Sequence, residues 1–343
     1  MINTAGVVGL GTMGAGIAEV FAKAGLTVIG VEVDEAALAR GEANLAKSLD
    51  RQVAKGRLSE DAAARLRERT TLTVDFDALS EASLVVEAVP ERMEIKHDLF
   101  ARLDAACADA AILATNTSSL SVTEIADGTS RPGRVCGMHF FNPAPIMKLV
   151  EVVRADRTDA DVIAAVEELA TRAGKTPVVI GDRPGFIANR LLLGYLNQAA
   201  KLRQDKRFDR DSIDAAIRGA GFPMGPLMLL DVIGLDTSVA ILDTIYEHGG
   251  RSPRHEAAQV LRDLVAEGKL GKKAGHGFYD HGQSAPRPEL DEALAAEIVA
   301  ELLPPHVGEA QAMADSGYAS PEAIDTAMTL GCGYPRGPFS LLG

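Results

Sequence analysis

The chain is poor in cysteine and in positive charge, and it has no long uninterrupted apolar run. Its three cysteines, Cys107, Cys136 and Cys332, are odd in number, widely spaced and without a CxxC pair. A disulfide framework and a zinc site are therefore excluded, no metal is expected, and a reducing cytoplasm fits. Against 48 acidic residues stand only 35 Lys and Arg, a formal net charge of −13. The average field repels phosphate backbones and anionic lipid, which excludes nucleic acid and membrane surfaces as partners. Any anionic ligand must be held by local donors. Charges interrupt every apolar stretch before it reaches the roughly 18 residues of a spanning helix. Met1-Ile2-Asn3-Thr4 carries no cation, and a strand-like run begins at Ala5, so no targeting peptide is expected and the protein reads as cytoplasmic.

What is present is an ordinary globular balance, 47% hydrophobic and 24% charged over 343 residues, which rules out disorder, collagen and coiled coil and at about 150 residues per domain suggests roughly two domains. From Ala5 to about Ile180, β-rich runs alternate with helical patterns, which predicts a parallel sheet with crossover helices. The strands expected are Ala5–Leu10, Thr27–Val31, Leu84–Ala88, Ala111–Thr115, Val135–His139, Leu149–Val153 and Pro177–Ile180. A helical excursion from the sheet, Glu35 to Arg69, breaks near Lys55-Gly56-Arg57 and restarts at Ser59-Glu60-Asp61. Beyond Asp182-Arg183-Pro184-Gly185 only helical periodicity remains, which places a domain boundary near Asp182. Within that second region Ser212-Ile213-Asp214-Ala215-Ala216 and Gly221-Phe222-Pro223-Met224-Gly225-Pro226-Leu227 with Leu230 return as Glu322-Ala323-Ile324-Asp325-Thr326-Ala327 and Gly333-Tyr334-Pro335-Arg336-Gly337-Pro338-Phe339 with Leu342. This is an internal duplication whose second copy is half a unit, joined through a linker at Gln283–Pro288.

The first strand leads into Gly9-Leu10-Gly11-Thr12-Met13-Gly14 and then a helix, and the next strand ends in Glu32, eighteen positions beyond Gly14. In that context the loop is a dinucleotide site rather than only a tight turn. Gly9 permits the turn, Gly11 lets backbone N–H groups approach a pyrophosphate, and Gly14 lets the helix pack close to the strand. Glu32 accepts ribose hydroxyls and repels a 2′-phosphate, and no Arg follows it closely, so NAD is favoured over NADP.

Further polar groups follow later strands, where an open α/β sheet binds its ligand: Glu87 and Glu91, then Asn116-Thr117-Ser118-Ser119. A purely local reading also stays open, in which Ser118, Ser119 and Ser121 cap the next helix. The most informative constellation is His139-Phe140-Phe141-Asn142-Pro143-Ala144-Pro145, followed by Ile146-Met147-Lys148-Leu149-Val150-Glu151. Glu151 stands in an otherwise apolar strand and needs a partner. His139, one strand earlier across a two-proline turn, is the natural one. A carboxylate partner raises an imidazole's proton affinity and fixes its tautomer, which makes a general base for an alcohol proton.

Together these stretches, with Val86-Glu87-Ala88-Val89-Pro90-Glu91, Thr115-Asn116-Thr117-Ser118-Ser119-Leu120, Asp182-Arg183-Pro184-Gly185-Phe186-Ile187-Ala188-Asn189-Arg190 and Gly275-His276-Gly277-Phe278-Tyr279, resemble the L-3-hydroxyacyl-CoA dehydrogenase family, the bacterial 3-hydroxybutyryl-CoA dehydrogenases included, over about residues 3 to 281. The resemblance implies an α/β fold: an N-terminal Rossmann-type doubly wound sheet at 1–183 that binds NAD, an all-α substrate and dimerisation domain at 184–282, and a partial second copy at 289–343. It implies oxidation of an L-3-hydroxyacyl-CoA, with His139 as base, Glu151 as its partner, and Ser118 and Asn189 holding the substrate's 3-oxygen. NAD contacts follow from the Gly9, Gly11, Thr12, Met13 and Gly14 loop and from Glu32, Glu91, Lys96, Ser118 and Asn142. Each matches the family's residue type except Glu32, where aspartate is usual. Ser48 and Lys55 match the pair that holds the coenzyme A moiety.

Independently of that likeness, Lys47, Arg51 and Lys55 recur every four positions and form a basic ridge suited to phosphates. A dehydrogenase of a small free hydroxy acid is the alternative enzyme, and a non-catalytic dinucleotide-binding protein the alternative class. The family dimerises through its helical domain. A half copy leaves part of that apolar surface open, so a homodimer is expected, and a monomer is the alternative if the half copy covers the surface.

Overall fold

The structure, a computed structural model, describes residues 2–283 and 288–341. Residues 284–287 of the expected linker, and Leu342 at the end of the second copy, lie outside the described residues. The chain forms two compact units, Met1–Asp182 and Arg183–Gly343.

In the first unit the elements run β1 (Thr4–Val8), α1 (Thr12–Lys23), β2 (Thr27–Val31), α2 (Glu35–Ala54), α3 (Glu60–Glu68), β3 (Thr70–Thr73), β4 (Leu84–Glu87), α4 (Met93–Ala106), β5 (Ile112–Thr115), α5 (Val122–Asp127), β6 (Val135–Phe140), β7 (Leu149–Arg154), α6 (Ala160–Arg172) and β8 (Thr176–Gly181). The strands make one sheet in the order β3-β2-β1-β4-β5-β6-β7-β8. Central strands such as Leu84-Val85-Val86-Glu87 are buried along their whole length, as expected of a sheet covered on both faces. Helices meet it through apolar stripes: α2 buries Leu38, Gly41, Leu45 and Leu49, a helical spacing on one face.

Two features differ from the sequence expectation. The stretch between β2 and β4 is not an excursion from the sheet, because its helices lead into β3, which pairs in parallel with β2 as the edge strand. Thr70-Thr71-Leu72-Thr73 is polar and nowhere buried, so it lacks the apolar signal of the inner strands. The sheet is also not wholly parallel, since β7 runs antiparallel to β6. The connection between these two strands is too short for a crossover, and only antiparallel neighbours can be joined that way.

The second unit contains α7 (Ala188–Gln204), α8 (Arg210–Gly219), α9 (Pro226–Ile233), α10 (Leu235–His248), α11 (Gln259–Ala266), α12 (Glu292–Asp315) and α13 (Pro321–Cys332). The duplication has a common physical device. In the first copy the Asp214 carboxylate accepts the N–H groups of Leu227 and Met228 at 2.8 and 2.9 Å. In the second, Asp325 accepts the N–H of Phe339 at 3.1 Å. Both aspartates press on a glycine: a Cβ at Gly225 would lie 2.2 Å from Asp214 Cγ, and one at Gly337 would lie 1.9 Å from Asp325 Cγ. The Gly-Pro pair in each copy thus lets an aspartate hold the turn that follows. Asp231, fully buried, accepts the N–H groups of Phe278 and Tyr279, each at 2.8 Å, and closes the Gly275–Tyr279 signature onto α9. The half copy belongs to the same compact unit as the first copy and buries Ile298, Leu302, Leu303, Ala310, Met313, Ile324, Ala327 and Met328.

Candidate active site

The glycine loop has the geometry of an anion cradle. Gly9 has φ +85°, and a Cβ there would meet the Ala88 carbonyl oxygen at 2.9 Å. At Gly14 it would lie 1.7 Å from the Gly9 oxygen, whereas at Gly11 it would meet nothing within 4 Å. Gly9 and Gly14 are therefore demanded by the protein itself, while Gly11 borders open space. Gly11 is also the N-cap of α1 and makes no side-chain cap bond. The first-turn N–H groups, at Thr12 and Met13, point out of the positive end of the helix without a side-chain acceptor at the cap, which fits a pyrophosphate. Glu32 lies just beyond the end of β2, where its carboxylate accepts Leu10 N–H at 2.5 Å and Val33 N–H at 3.2 Å. It is half-buried beside the loop, as a ribose-binding carboxylate would be.

The carboxyl ends of β1, β4, β5 and β6 share one edge because these strands are parallel. At the end of β4, Glu87 is fully buried and accepts Lys96 Nζ at 2.6 Å, Thr115 Oγ1 at 2.7 Å and Val89 N–H at 2.7 Å. Lys96, expected to reach the cofactor directly, is 1% exposed, and its ammonium also lies 3.4 Å from Glu91. Its position is that of an internal clamp. Glu91 Oε1 in turn accepts Thr117 Oγ1 at 2.6 Å, Ser118 N–H at 2.8 Å and Ser119 N–H at 3.1 Å, and lies 3.3 Å from Ser118 Oγ. Burial pushes the Glu91 carboxyl up, but the Lys96 charge and the Thr117 and Ser118 hydrogen bonds outweigh it and hold it below its ordinary value. The capping role divides accordingly: Ser121 is the N-cap of α5 and accepts Glu124 N–H at 3.1 Å, while Ser118 is held by Glu91.

His139 and Glu151 face each other as register partners in the antiparallel β6–β7 pair, with Nδ1 2.6 Å from Oε2. His139 is 6% exposed and Glu151 0%. The Phe141 ring leans on the imidazole with centroids 4.5 Å apart. A hydrogen bond from Nδ1–H to the carboxylate makes Nε2 the basic nitrogen. Two further residues build this corner: Asn116, from the polar run after β5, and Lys175, which carries no sequence signal. Asn116, directly after β5, accepts Phe140 N–H on its side-chain oxygen at 2.8 Å. Lys175 binds the carbonyls of Ala144 and Met147 in the β6–β7 loop at 2.5 and 2.7 Å. Asn142 is exposed on that loop.

The remaining expected residues lie elsewhere. Asn189 is in the second unit, in the first turn of α7. Ser48, on α2, donates to the buried Glu19 of α1 at 2.5 Å, so its hydroxyl is engaged inside the unit. Lys47 and Arg51 are exposed on α2, and Lys55, also exposed, is its C-cap. Among the described residues no group of His, Cys, Asp and Glu is placed to hold a metal, and no helix is long and apolar enough to cross a membrane.

A Gly-rich strand-to-helix turn, an acid closing the second strand and a His–Glu pair at the same sheet edge define a dinucleotide-dependent class of α/β protein. Family comparison names it. The 3-hydroxyacyl-CoA dehydrogenase NAD binding domain model matches residues 4–183, and the C-terminal domain model of the same family matches 185–281 and again 298–343. The chain belongs to the 3-hydroxyacyl-CoA dehydrogenase family. It is 44% identical over 283 residues to the human mitochondrial hydroxyacyl-coenzyme A dehydrogenase, covering 80% of this chain and 90% of that one. It is 41% identical to the 3-hydroxybutyryl-CoA dehydrogenase of Clostridioides difficile, covering 81% and 99%. A crystal structure of 3-hydroxybutyryl-CoA dehydrogenase from Escherichia coli K12 superposes with a TM-score of 0.92 at 32% identity, covering 99% of this chain and 91% of that one.

Proposed function

We propose that the chain catalyses the reversible, NAD-dependent oxidation of an L-3-hydroxyacyl-CoA to the 3-oxoacyl-CoA, with His139 as the general base. The observation that carries this reading is the 2.6 Å contact of His139 Nδ1 with the buried Glu151. In the oxidative direction His139 Nε2 accepts the 3-hydroxyl proton, and the Glu151 carboxylate stabilises the imidazolium that results. In the reverse direction the same nitrogen returns the proton. Ser118 and Asn189 donate to the 3-oxygen and stabilise charge on it. The Gly9–Gly14 loop and Glu32 would hold the adenosine end of NAD, and Glu91, Ser118 and Asn142 would hold its nicotinamide end. Lys96 acts through Glu87 and Glu91. NAD, held by these residues, would supply the acceptor for the hydride of C3. The exposed ridge of Lys47, Arg51 and Lys55 supplies local positive charge for the coenzyme A phosphates in a chain of net charge −13.

Following NADH absorbance with acetoacetyl-CoA, and NAD reduction with a free 3-hydroxy acid, tests this reading. Turnover of the thioester and none of the free acid is expected. Preference for the free acid would assign the small hydroxy-acid chemistry instead, and no turnover of either would leave a binding protein.

The working unit is proposed as the monomer rather than the dimer. The half copy packs α12 against α7 and α8 and α13 against α7, burying Ile298, Leu302 and Met328, and so covers helix surface that the dimer expectation leaves open. The half copy also places Glu309 2.8 Å from Arg254 and 3.4 Å from Arg190. Sedimentation at micromolar concentration should show one species near 36.1 kDa; a species of twice that mass would restore the dimer.

A further inference from the structure

We propose that Lys175 is a positioning residue for the loop at 141–148, which carries Asn142 and joins the His139 strand to the Glu151 strand. This rests on the function proposed above. Lys175 lies between α6 and β8, is 8% exposed, and spans thirty positions of sequence to give two hydrogen bonds to the carbonyls of Ala144 and Met147. The backbone beside it is tied to the same loop, as Thr176 N–H donates to the Lys148 carbonyl at 2.8 Å. On its other side the loop rests on α1, the helix that starts at the glycine loop. A Cβ at Gly16 would lie 3.2 Å from both Ala144 Cβ and Pro145 Cδ. The loop is therefore clasped between the helix that presents the anion cradle and a lysine reaching across from the end of α6. An isolated ammonium is costly to bury. Here its partners are neutral carbonyls, so no ion pair within hydrogen-bond reach offsets that cost, and the gain must lie in what the ammonium holds.

The electrostatic surroundings are consistent with a group spent on position. Burial, then the charges of Lys148 and of Lys23 on α1, bring the Lys175 ammonium down to about 8, with Glu19 on α1 opposing. Because its folded value lies below the ordinary 10.5, the unfolded chain binds more protons above about 8, and stability attributable to this group rises with pH in that window. The loop itself behaves oppositely, since the charged form makes the stronger hydrogen bonds to Ala144 and Met147.

Wild type, Lys175→Met and Lys175→Arg should be compared by amide hydrogen exchange and by steady-state kinetics from pH 6 to pH 9. In the methionine variant, exchange in residues 143–148 should accelerate at least about tenfold while β1, β2 and β4 stay within twofold of wild type. Its kcat/KM for NAD should fall by about 10- to 100-fold, chiefly in KM, as expected for a displaced contact residue. Wild type should lose kcat/KM for NAD above pH 8, and neither variant should show that inflection. The arginine variant should recover loop protection. Unchanged exchange at 143–148, or equal acceleration over the whole sheet, overturns the proposal. The exchange measurement needs no turnover, so inactivity of the wild type would sink the proposed function and leave this inference to be decided by the loop alone.

Discussion

The side-chain oxygen of Asn116 accepts the backbone N–H of Phe140 at 2.8 Å, and this bond ties the loop carrying Ser118 to the strand end carrying His139. Both segments leave the sheet at the same edge, yet nothing in the β5–β6 ladder beyond Thr115↔Gly137 holds them in register. Asn116→Ala leaves the Phe140 N–H unmet, and a part-buried donor left so costs about 1–3 kcal/mol. The thermal midpoint should drop accordingly, and kcat should fall about tenfold or more, read by calorimetry and by NADH absorbance with acetoacetyl-CoA. Asn116→Asp, which retains the acceptor, should recover most of the stability.

Replacing His139 by alanine should cost about 10²–10⁴ in kcat, the usual worth of a placed acid or base. NADH binding should survive. The variant should also unfold more easily, because Glu151, 0% exposed, keeps a buried carboxylate with its imidazole partner removed. Glu151→Gln should retain the packing and lose turnover, since an amide can present its N–H to Nδ1 and favour the wrong tautomer. A Glu151→Gln enzyme with near-normal kcat would remove the pair from the chemistry.

The two loop glycines should separate folding from binding. A methyl at Gly14 would overlap the Gly9 carbonyl at 1.7 Å, so Gly14→Ala should give little folded protein. At Gly11 a methyl meets nothing within 4 Å, so Gly11→Ala should unfold within about 0.5 kcal/mol of wild type. Its Kd for NADH should nonetheless rise at least about tenfold, measured by fluorescence titration. Equal NADH affinity in the Gly11 variant would mean that the cradle is not where the pyrophosphate sits.

Glu91 makes a pH-dependent contribution whose sign follows from its environment. Burial raises its carboxyl, and Lys96 with the Thr117 and Ser118 hydrogen bonds lowers it further, below the ordinary 4.5. The stability it adds is complete above that ordinary value and disappears as pH falls through the folded one. Glu91→Gln should therefore flatten the decline of the thermal midpoint on the acid side of pH 4.5 and lower the midpoint at neutral pH. An acid limb as steep as that of wild type would mean that the Ser118 loop does not depend on this charge.

Local signals in the chain carry through to the fold. Most strands are short runs of mainly apolar residues, and seven of the eight lie within two residues of where the sequence puts them. Ser59 caps α3 with a hydrogen bond to Ala62 N–H at 3.2 Å, as its place before Glu60-Asp61 suggests. Edge strand β3 carries no such signal, because a polar strand at a sheet margin shows no apolar run or strict alternation. Glu151 was legible as a misfit, a carboxylate in a buried strand, and it pointed to His139.

The sequence by itself determined the glycine-rich turn into α1, the His139–Glu151 pairing, the two-unit plan and the duplication, because each depends on residues close in the chain or on a repeated pattern. Only the tertiary structure decided the partners of polar groups that meet across distant segments: Ser48 turned inward to Glu19, Asn116 to Phe140, Lys175 to the 141–148 loop. A charge or an amide carries no mark in sequence of whether it will face water or another part of the chain. That outcome depends on packing, which sets which polar groups lose their solvent and must find one another.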